Sequence, residues 1–421
     1  MAESAGTALM VSIGVISTIG SCFSTTLSDV VVPHDGMTNK AAKRLNMMVI
    51  FFMVFQNVAQ KYIFFCVCTP SKQEQDIFPY FCRMEKEILL GKTPSEIQEV
   101  VEKLELPKFT GKQLVDWIYL KRCANFEDMT NLSKNARALL SEQYETGLKA
   151  PVKEQVSTDG TKKYLFPAGE HFIEAAYIPD RDRATLCVST QVGCQMDCLF
   201  CATGKQGFQK NLSVAEIMNQ ILSLPEFDTL SNIVFMGMGE PLANYDNLMR
   251  SLDILTQEWA LGWSPTRITV STSGLIPNLK RFLEESKCNL AISMHSPFHD
   301  ERLKLMPIEK TYPIKEVIHA VKQHDWHGQR RLSFEYIIFK DLNHSKDHIK
   351  EIAKLLGSTR CRFNLIRYHA VPGIPLKSPD AATMTWFRDA LNEKGIIATI
   401  RASRGQDIDA ACGLLSTKNL L

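Results

Sequence analysis

With 421 residues, 45% hydrophobic and 22% charged, the chain has the composition of a globular protein and the length for two or more domains. A net charge of +2 excludes a uniformly basic nucleic-acid binder, so any such contact must use local patches. Twelve cysteines with one tight cluster argue for metal or catalytic use in a reducing compartment, against a disulfide framework.

Residues 1–83 differ in composition from the remainder of the chain. They hold only six basic and five acidic side chains. "ALMVSIGVISTIGSCF" (8–23) is uncharged, but no Lys or Arg precedes it as in a secretory signal. "MMVIFFMVF" (47–55) runs into Gln56, Asn57, Gln60 and Lys61 before the ~20 apolar residues of a membrane span. A single anchor over 8–67 is one reading. The preferred expectation is that translation starts at Met84, with 1–83 as upstream sequence read in frame.

From 84 to 150 the pattern is helical. "TPSEIQEVVEKLEL" opens with a Thr93 or Ser95 cap and acids in its first turn. "TGKQLVDWIYLKR" and "SKNARALLSEQY" continue it. Lys108, Lys112, Lys121, Arg122, Lys134 and Arg137 are expected to be exposed. They form either a solvated face or, interleaved with Phe109, Trp117 and Tyr119, a grip on RNA.

Residues 151–180 alternate in "KKYLFPAGEHFIEAAYI", which predicts strands joined by a turn at Pro167–Gly169. Strands and helices then alternate through 181–421. Strands are expected at 185–190, 232–238, 267–273, 289–295, 332–339 and 362–368, with amphipathic helices between them. The fold class is therefore α/β: a partial (βα)6 barrel, with a small N-terminal helical domain and a β extension. In such barrels chemistry gathers at the C-terminal ends of the strands. Those ends carry Cys194 and its partners, "GMGE" (237–240), "STSG" (271–274), "SMH" (293–295), Glu335 and Asn364.

The sharpest signal is "GCQMDCLFCATG" (193–204), with Cys194, Cys198 and Cys201 in one loop. A closed zinc site wants four ligands, and His171, His295 or a distant cysteine could supply one without any usual spacing. Iron–sulfur clusters also take four as a rule. Three thiolates on a four-iron cluster leave one iron open. CxxxCxxC after the first barrel strand resembles the radical S-adenosylmethionine (SAM) superfamily, in which SAM occupies that iron. The resemblance implies a 4Fe-4S cluster on Cys194, Cys198 and Cys201. It also implies SAM contacts at Gly239 and Glu240.

"RATLCVSTQVGC", "GMGEPLANYDN", "STSGLIP", "AISMH", "FNLIRYHAVPG" and "GQDIDAACGLL" closely resemble the RNA adenine-C2 methyltransferases of the RlmN type, from about Met84 to 417. The resemblance implies that one SAM methylates Cys412. A second SAM, reduced at the cluster, would yield a 5′-deoxyadenosyl radical that takes hydrogen from that methyl. The carbon radical would add to adenine C2. Cys187 would then attack the Cys412 sulfur, release the base and leave a disulfide. Such a detour suits C2, which is electrophilic and offers nothing for a methyl cation equivalent to attack. The same resemblance places a general base at Glu174, and SAM contacts at Ser271, Ser293, Met294, His295 and Asn364. Arg367–His369 depart from a Trp-containing version of the segment, which bears on RNA-loop contacts. By themselves Cys187 reads as a strand-interior core residue and His295 as a satisfied core histidine.

The implied partners are 23S ribosomal RNA, transfer RNA and a flavodoxin-type electron donor. A monomer in the cytoplasm, without a membrane, is expected. The rivals are a C8-adenine relative with the same mechanism, a radical SAM enzyme acting on a small molecule, a non-catalytic zinc RNA-binding protein, and the anchored protein.

Overall fold

The structure, a computed structural model, describes residues 86–417 except His327, and the backbone of four strands between Leu9 and Cys68. Met84, the expected start of translation, lies outside the described residues. The chain divides into two units, Met1–Glu85 and Lys86–Leu421. In the first, β1 (Leu9–Ile19), β2 (Cys22–Val32), β3 (Met48–Phe55) and β4 (Lys61–Cys68) form a sheet in the order β2-β1-β3-β4. Among the described residues no helix is long and apolar enough to cross a membrane.

The second unit begins with β5 (Glu87–Ile88), which pairs with β6 (Tyr144–Glu145) around a helical segment. Helix 94–103 starts at Thr93, whose hydroxyl accepts from the Glu96 N–H while the Glu96 carboxylate returns to the Thr93 N–H. Its apolar stripe Ile97, Val100 and Val101 is buried in the core that also holds Leu186 and Phe235 of the main sheet. Burying each such side chain stabilises the fold by ~1.5–3 kcal/mol. Tyr119 departs from the sequence expectation. It is fully buried, and its hydroxyl donates to the Lys92 carbonyl at 2.7 Å, so it is a core residue and offers RNA no stacking face. Arg122 is also engaged, donating to Asp228 at 3.0 Å over the Phe227 ring. Phe109, 65% exposed, and Lys121, lying 3.6 Å over the Trp117 ring, remain at the surface.

The main sheet has ten strands in the order β18-β17-β16-β15-β14-β13-β10-β9-β8-β7. These are β7 (Lys153–Val156), β8 (Lys162–Ala168), β9 (His171–Asp180), β10 (Arg183–Cys187), β13 (Asn232–Phe235), β14 (Ile268–Thr272), β15 (Asn289–Ser293), β16 (Leu332–Ile338), β17 (Arg362–Arg367) and β18 (Ile397–Ile400). A separate ribbon pairs β11 (Gln191–Val192) with β12 (Lys210–Asn211). Strands β10 and β13–β18 run parallel, and β7–β9 add an antiparallel extension beside β10. The sheet stays open between β18 and β7, a partial barrel. All six expected parallel strands are present, and β18 is a seventh.

Helices 214–222, 245–256, 276–285, 314–322, 346–356 and 381–393 separate the parallel strands. Ser213, Ser345 and Asp380 cap three of them by accepting backbone N–H groups. Each helix presents buried apolar residues such as Ile217, Leu279 and Ile352 to the sheet. Parallel order sends every C-terminal strand end to one rim, and the loops there form the site.

Candidate active site

One cavity opens at that rim. Cys187, Cys194, Cys198, Cys201 and Cys412 all line it, with Gly239, Glu240, Ser271, Ser293 and His295. Residues separated by more than two hundred positions thus meet in one space.

The cluster loop follows β11. Gly193 adopts φ +71°, and a Cβ there would meet the Gly207 carbonyl oxygen at 1.6 Å, so only glycine permits this turn. The loop continues into helix 202–206. Burial pushes the Cys194 thiol up to about 12, and the neighbouring Cys201 adds to the rise. Burial likewise pushes Cys198 well up, helped by Cys201 and Cys194. Such thiols ionise only when a cation joins them.

Glu240 ends the segment after β13. Its Oε2 accepts from the Ser273 N–H at 2.8 Å and the Ser273 hydroxyl at 2.9 Å, and its backbone N–H donates to Gln191 Oε1 at 2.8 Å. Burial raises its pKa, and the bonds from Ser273 to the carboxylate oppose the rise. The carboxylate therefore fixes the segment. At Gly239 (φ +98°) a Cβ would lie 2.5 Å from Gln191 Cβ, so the close approach requires glycine.

Ser293 ends β15 and Met294 follows it. Met294 is buried in the core and does not line the cavity. The fully buried Arg302 ties these strand ends together. It donates to the carbonyls of Ser273 (2.8 Å), Ser293 (2.9 Å) and Met294 (3.0 Å) and pairs with Glu309. His295 holds a left-handed backbone (φ +54°), and its Nδ1 accepts from the Ile337 N–H at 3.0 Å. Burial, then Arg302, push its pKa down to about 3. The ring is therefore neutral, with its proton on Nε2.

Cys187 ends β10. Burial, then Cys412, push its thiol up to about 12, while Arg401 pulls it down. Cys412 sits on the C-terminal loop. Its side chain is open to the cavity, yet the cavity is sunk in protein, so desolvation still raises the thiol. Arg401 opposes this rise and Glu335 adds to it. All eight cysteines between residues 86 and 417 are free thiols.

The Cys412 loop is held from two sides. The Gly405 N–H donates to Asp159 at 2.9 Å, and Asp407 accepts from the Ser157 hydroxyl (2.5 Å) and the Thr158 N–H (3.0 Å), all on the turn between β7 and β8. On the other side the Thr203 hydroxyl donates to the Leu415 carbonyl at 2.6 Å, and Gln206 Oε1 accepts from the Thr417 N–H at 3.0 Å.

The structure does not bring Glu174 or Asn364 to the cavity wall. Glu174 is buried on β9, paired with Lys163 at 3.0 Å and accepting the Ser416 N–H at 2.9 Å. Burial raises its pKa, and Lys163 opposes the rise. Asn364 donates to Glu335 Oε1 at 2.8 Å, standing behind that residue. Sequence reasoning did not single out Arg401, Arg302, Gln191 or Ser273. Arg401 carries only one signal, a lone cation just after a short strand, and its neighbours come from distant segments.

Comparison with known proteins agrees with this architecture. Residues 188–356 match the radical SAM superfamily, and 88–146 match the ribosomal RNA large subunit methyltransferase N-terminal domain. The chain is 56% identical over 335 residues to a protein of Parabacteroides distasonis described as "Probable dual-specificity RNA methyltransferase RlmN", covering 79% of this chain and 98% of the relative. It is 41% identical over 330 residues to the dual-specificity RNA methyltransferase RlmN of Syntrophus aciditrophicus, covering 77% and 95%. The crystal structure of a radical SAM methyltransferase from Sphaerobacter thermophilus superposes with a TM-score of 0.75 at 38% identity, covering 78% of this chain and 99% of that one.

A 4Fe-4S cluster and SAM are the cofactors that go with these matches. The residues present fit them. Three thiols of one short loop face one cavity. By fold, cavity and sequence the chain belongs to the radical SAM RNA methyltransferases of the RlmN family.

Proposed function

We propose that this chain methylates C2 of an adenine in 23S ribosomal RNA, and an adenine in transfer RNA, with Cys412 as methyl carrier and Cys187 as resolving thiol. The observation that carries this reading is that both thiols line the cavity lined by Cys194, Cys198 and Cys201, with Arg401 acting on both.

The cluster, on the three loop cysteines, and two SAM molecules supply the radical and the methyl group. The chain's residues do the rest. Cys412 takes the methyl by displacement as its thiolate, helped by Arg401, and presents it to the base. After carbon–carbon bond formation a base removes the C2 proton. Glu174 fills that role, since burial raises its pKa towards what a base at neutral pH needs. Its carboxylate is held by Lys163 and by the Ser416 N–H. The Cys187 thiolate then bonds to the Cys412 sulfur as the carbon–sulfur bond breaks; the freed CH2 carbon takes up a proton to become the methyl, and the odd electron left by the radical addition would be taken up by the cluster. Gly239, Glu240, Ser271, Ser293 and His295 shape the SAM site, with the His295 Nε2–H as a fixed donor, while Met294 and Asn364 support it from behind the wall. A flavodoxin-type protein is the electron donor, and the enzyme acts as a cytoplasmic monomer.

The test is nucleoside mass spectrometry of RNA treated with reconstituted protein, SAM and reductant. 2-Methyladenosine is expected. 8-Methyladenosine as the product would contradict the C2 assignment.

A further inference from the structure

Helix His299–Leu305 contributes no residue to the cavity wall, yet it touches both halves of the site. Arg302, at its centre, is fully buried, and each nitrogen of its guanidinium donates. Nε bonds the Met294 carbonyl, Nη2 bonds those of Ser273 and Ser293, and Nη1 pairs with Glu309. Ser273 in turn holds the Glu240 carboxylate through its N–H and its hydroxyl. One side chain thus fixes the chain at the ends of β14 and β15 and, through Ser273, the Gly239–Glu240 segment.

The far end of the helix holds the cysteine loop. The Leu305 carbonyl accepts from the Leu199 N–H at 2.8 Å, between Cys198 and Cys201. Phe200, the next residue, is buried in a small apolar core with Leu305, Met306, Ile337, Phe339 and Tyr368, separate from the main core. Its ring also meets the His295 ring edge to face, with centroids 4.7 Å apart. A buried ion pair adds little net stability over apolar packing of the same volume, so stability alone does not account for an arginine here. Directional bonds to three backbone carbonyls set positions, which apolar packing does less sharply.

We propose that helix His299–Leu305 is the strut that sets SAM against the cluster, with Arg302 as its positioning residue. Arg302 holds the strand ends that carry the SAM contacts, and Leu305 and the core around Phe200 hold the cysteine loop. Both cofactors are thereby registered from one element. This deepens the proposed function and rests on its SAM site. Small misplacements of reacting groups cost rate steeply, and a shared strut prevents them. The coupling runs both ways: SAM on the strand ends steadies the cysteine loop through the helix.

The test uses the reconstituted holoenzyme without RNA and needs no turnover. Amide hydrogen exchange of the wild-type protein is followed with and without SAM at about ten times its Kd. Exchange should slow about tenfold at 271–273 and 293–295, and equally at Leu199 and through 299–305. Slowing confined to the strand ends overturns the strut. No slowing at the strand ends overturns the SAM site on which the inference rests. Two variants then separate positioning from stability, and both disturb the ion pair. Arg302→Lys keeps the charge, but a compact ammonium cannot serve three carbonyls and a carboxylate as the planar fork does. Glu309→Gln leaves Arg302 on its three carbonyls. At equal iron content, the Kd for SAM should rise about tenfold in Arg302→Lys and stay at the wild-type value in Glu309→Gln. Equal SAM affinity in the two variants, whatever their melting temperatures, overturns the role of Arg302. If neither variant folds, the wild-type exchange pattern decides.

Discussion

The backbone N–H of Ala202 donates to the Gly413 carbonyl at 2.8 Å, joining the residue after Cys201 to the residue after Cys412. The loop of three cysteines and the loop of the proposed methyl carrier are thus one docked unit. Helix 202–206 extends the joint through Thr203 and Gln206.

Thr203→Val tests that joint. It removes the bond to the Leu415 carbonyl and keeps the side-chain shape. Stability should fall by about 1 kcal/mol. Iron content should stay at the wild-type level while turnover drops severalfold, because Cys412 is less well positioned. Iron analysis beside single-turnover methyl transfer separates the two effects. Loss of iron in step with activity would show that the loops do not divide the work this way.

The cysteines should fail in three different ways. Replacing Cys194, Cys198 or Cys201 with Ala should remove the brown chromophore and all turnover. Cys412→Ala should keep the chromophore and transfer nothing. Cys187→Ala should accumulate protein covalently joined to RNA, seen as a band that survives denaturing electrophoresis. A Cys187→Ala enzyme that turns over freely would rule out thiol resolution.

Release of product should depend on pH. The Cys187 thiol is pushed up to about 12 by burial and by Cys412. Below its pKa the thiolate fraction rises about tenfold per pH unit. Adduct breakdown should therefore accelerate by about that factor per unit between roughly pH 7 and 9, measured by quenching and gel analysis. A flat profile would mean that Cys187 is not the attacking group.

His295 ties acid stability to the site. Its pKa is about 3 folded, against 6.5 for a free histidine. Between those values the unfolded chain binds a proton that the native chain does not, so stability is lost as pH falls through that window. His295→Asn, which tolerates the positive φ, should shrink the difference between urea midpoints at pH 7 and 5. An unchanged difference would place the acid sensitivity elsewhere.

Much of the fold was legible because its signals are local. Alternating apolar runs marked β10 and β13–β17, and amphipathic periodicity marked the helices between them. Strand β18 was not visible: "IATI" is four residues long, and Ile397 is 62% exposed, so no buried period announces it. Arg401, directly after it, went unread for the same reason. Tyr119 misled because aromatic–basic interleaving looks alike whether a ring faces RNA or the core. The cysteine loop was legible from spacing, but the pairing of Asp159 and Asp407 with the Cys412 loop depends on contacts 246–250 residues apart, which no local pattern encodes.

The central claim is that the transferred carbon passes through Cys412. The direct measurement supplies SAM labelled as CD3 to the reconstituted enzyme with unmodified RNA, then weighs the product nucleoside. Passage through a methyl on Cys412 that loses one hydrogen predicts 2-methyladenosine carrying two deuteriums. Three deuteriums would mean that the methyl arrived intact, contradicting the route.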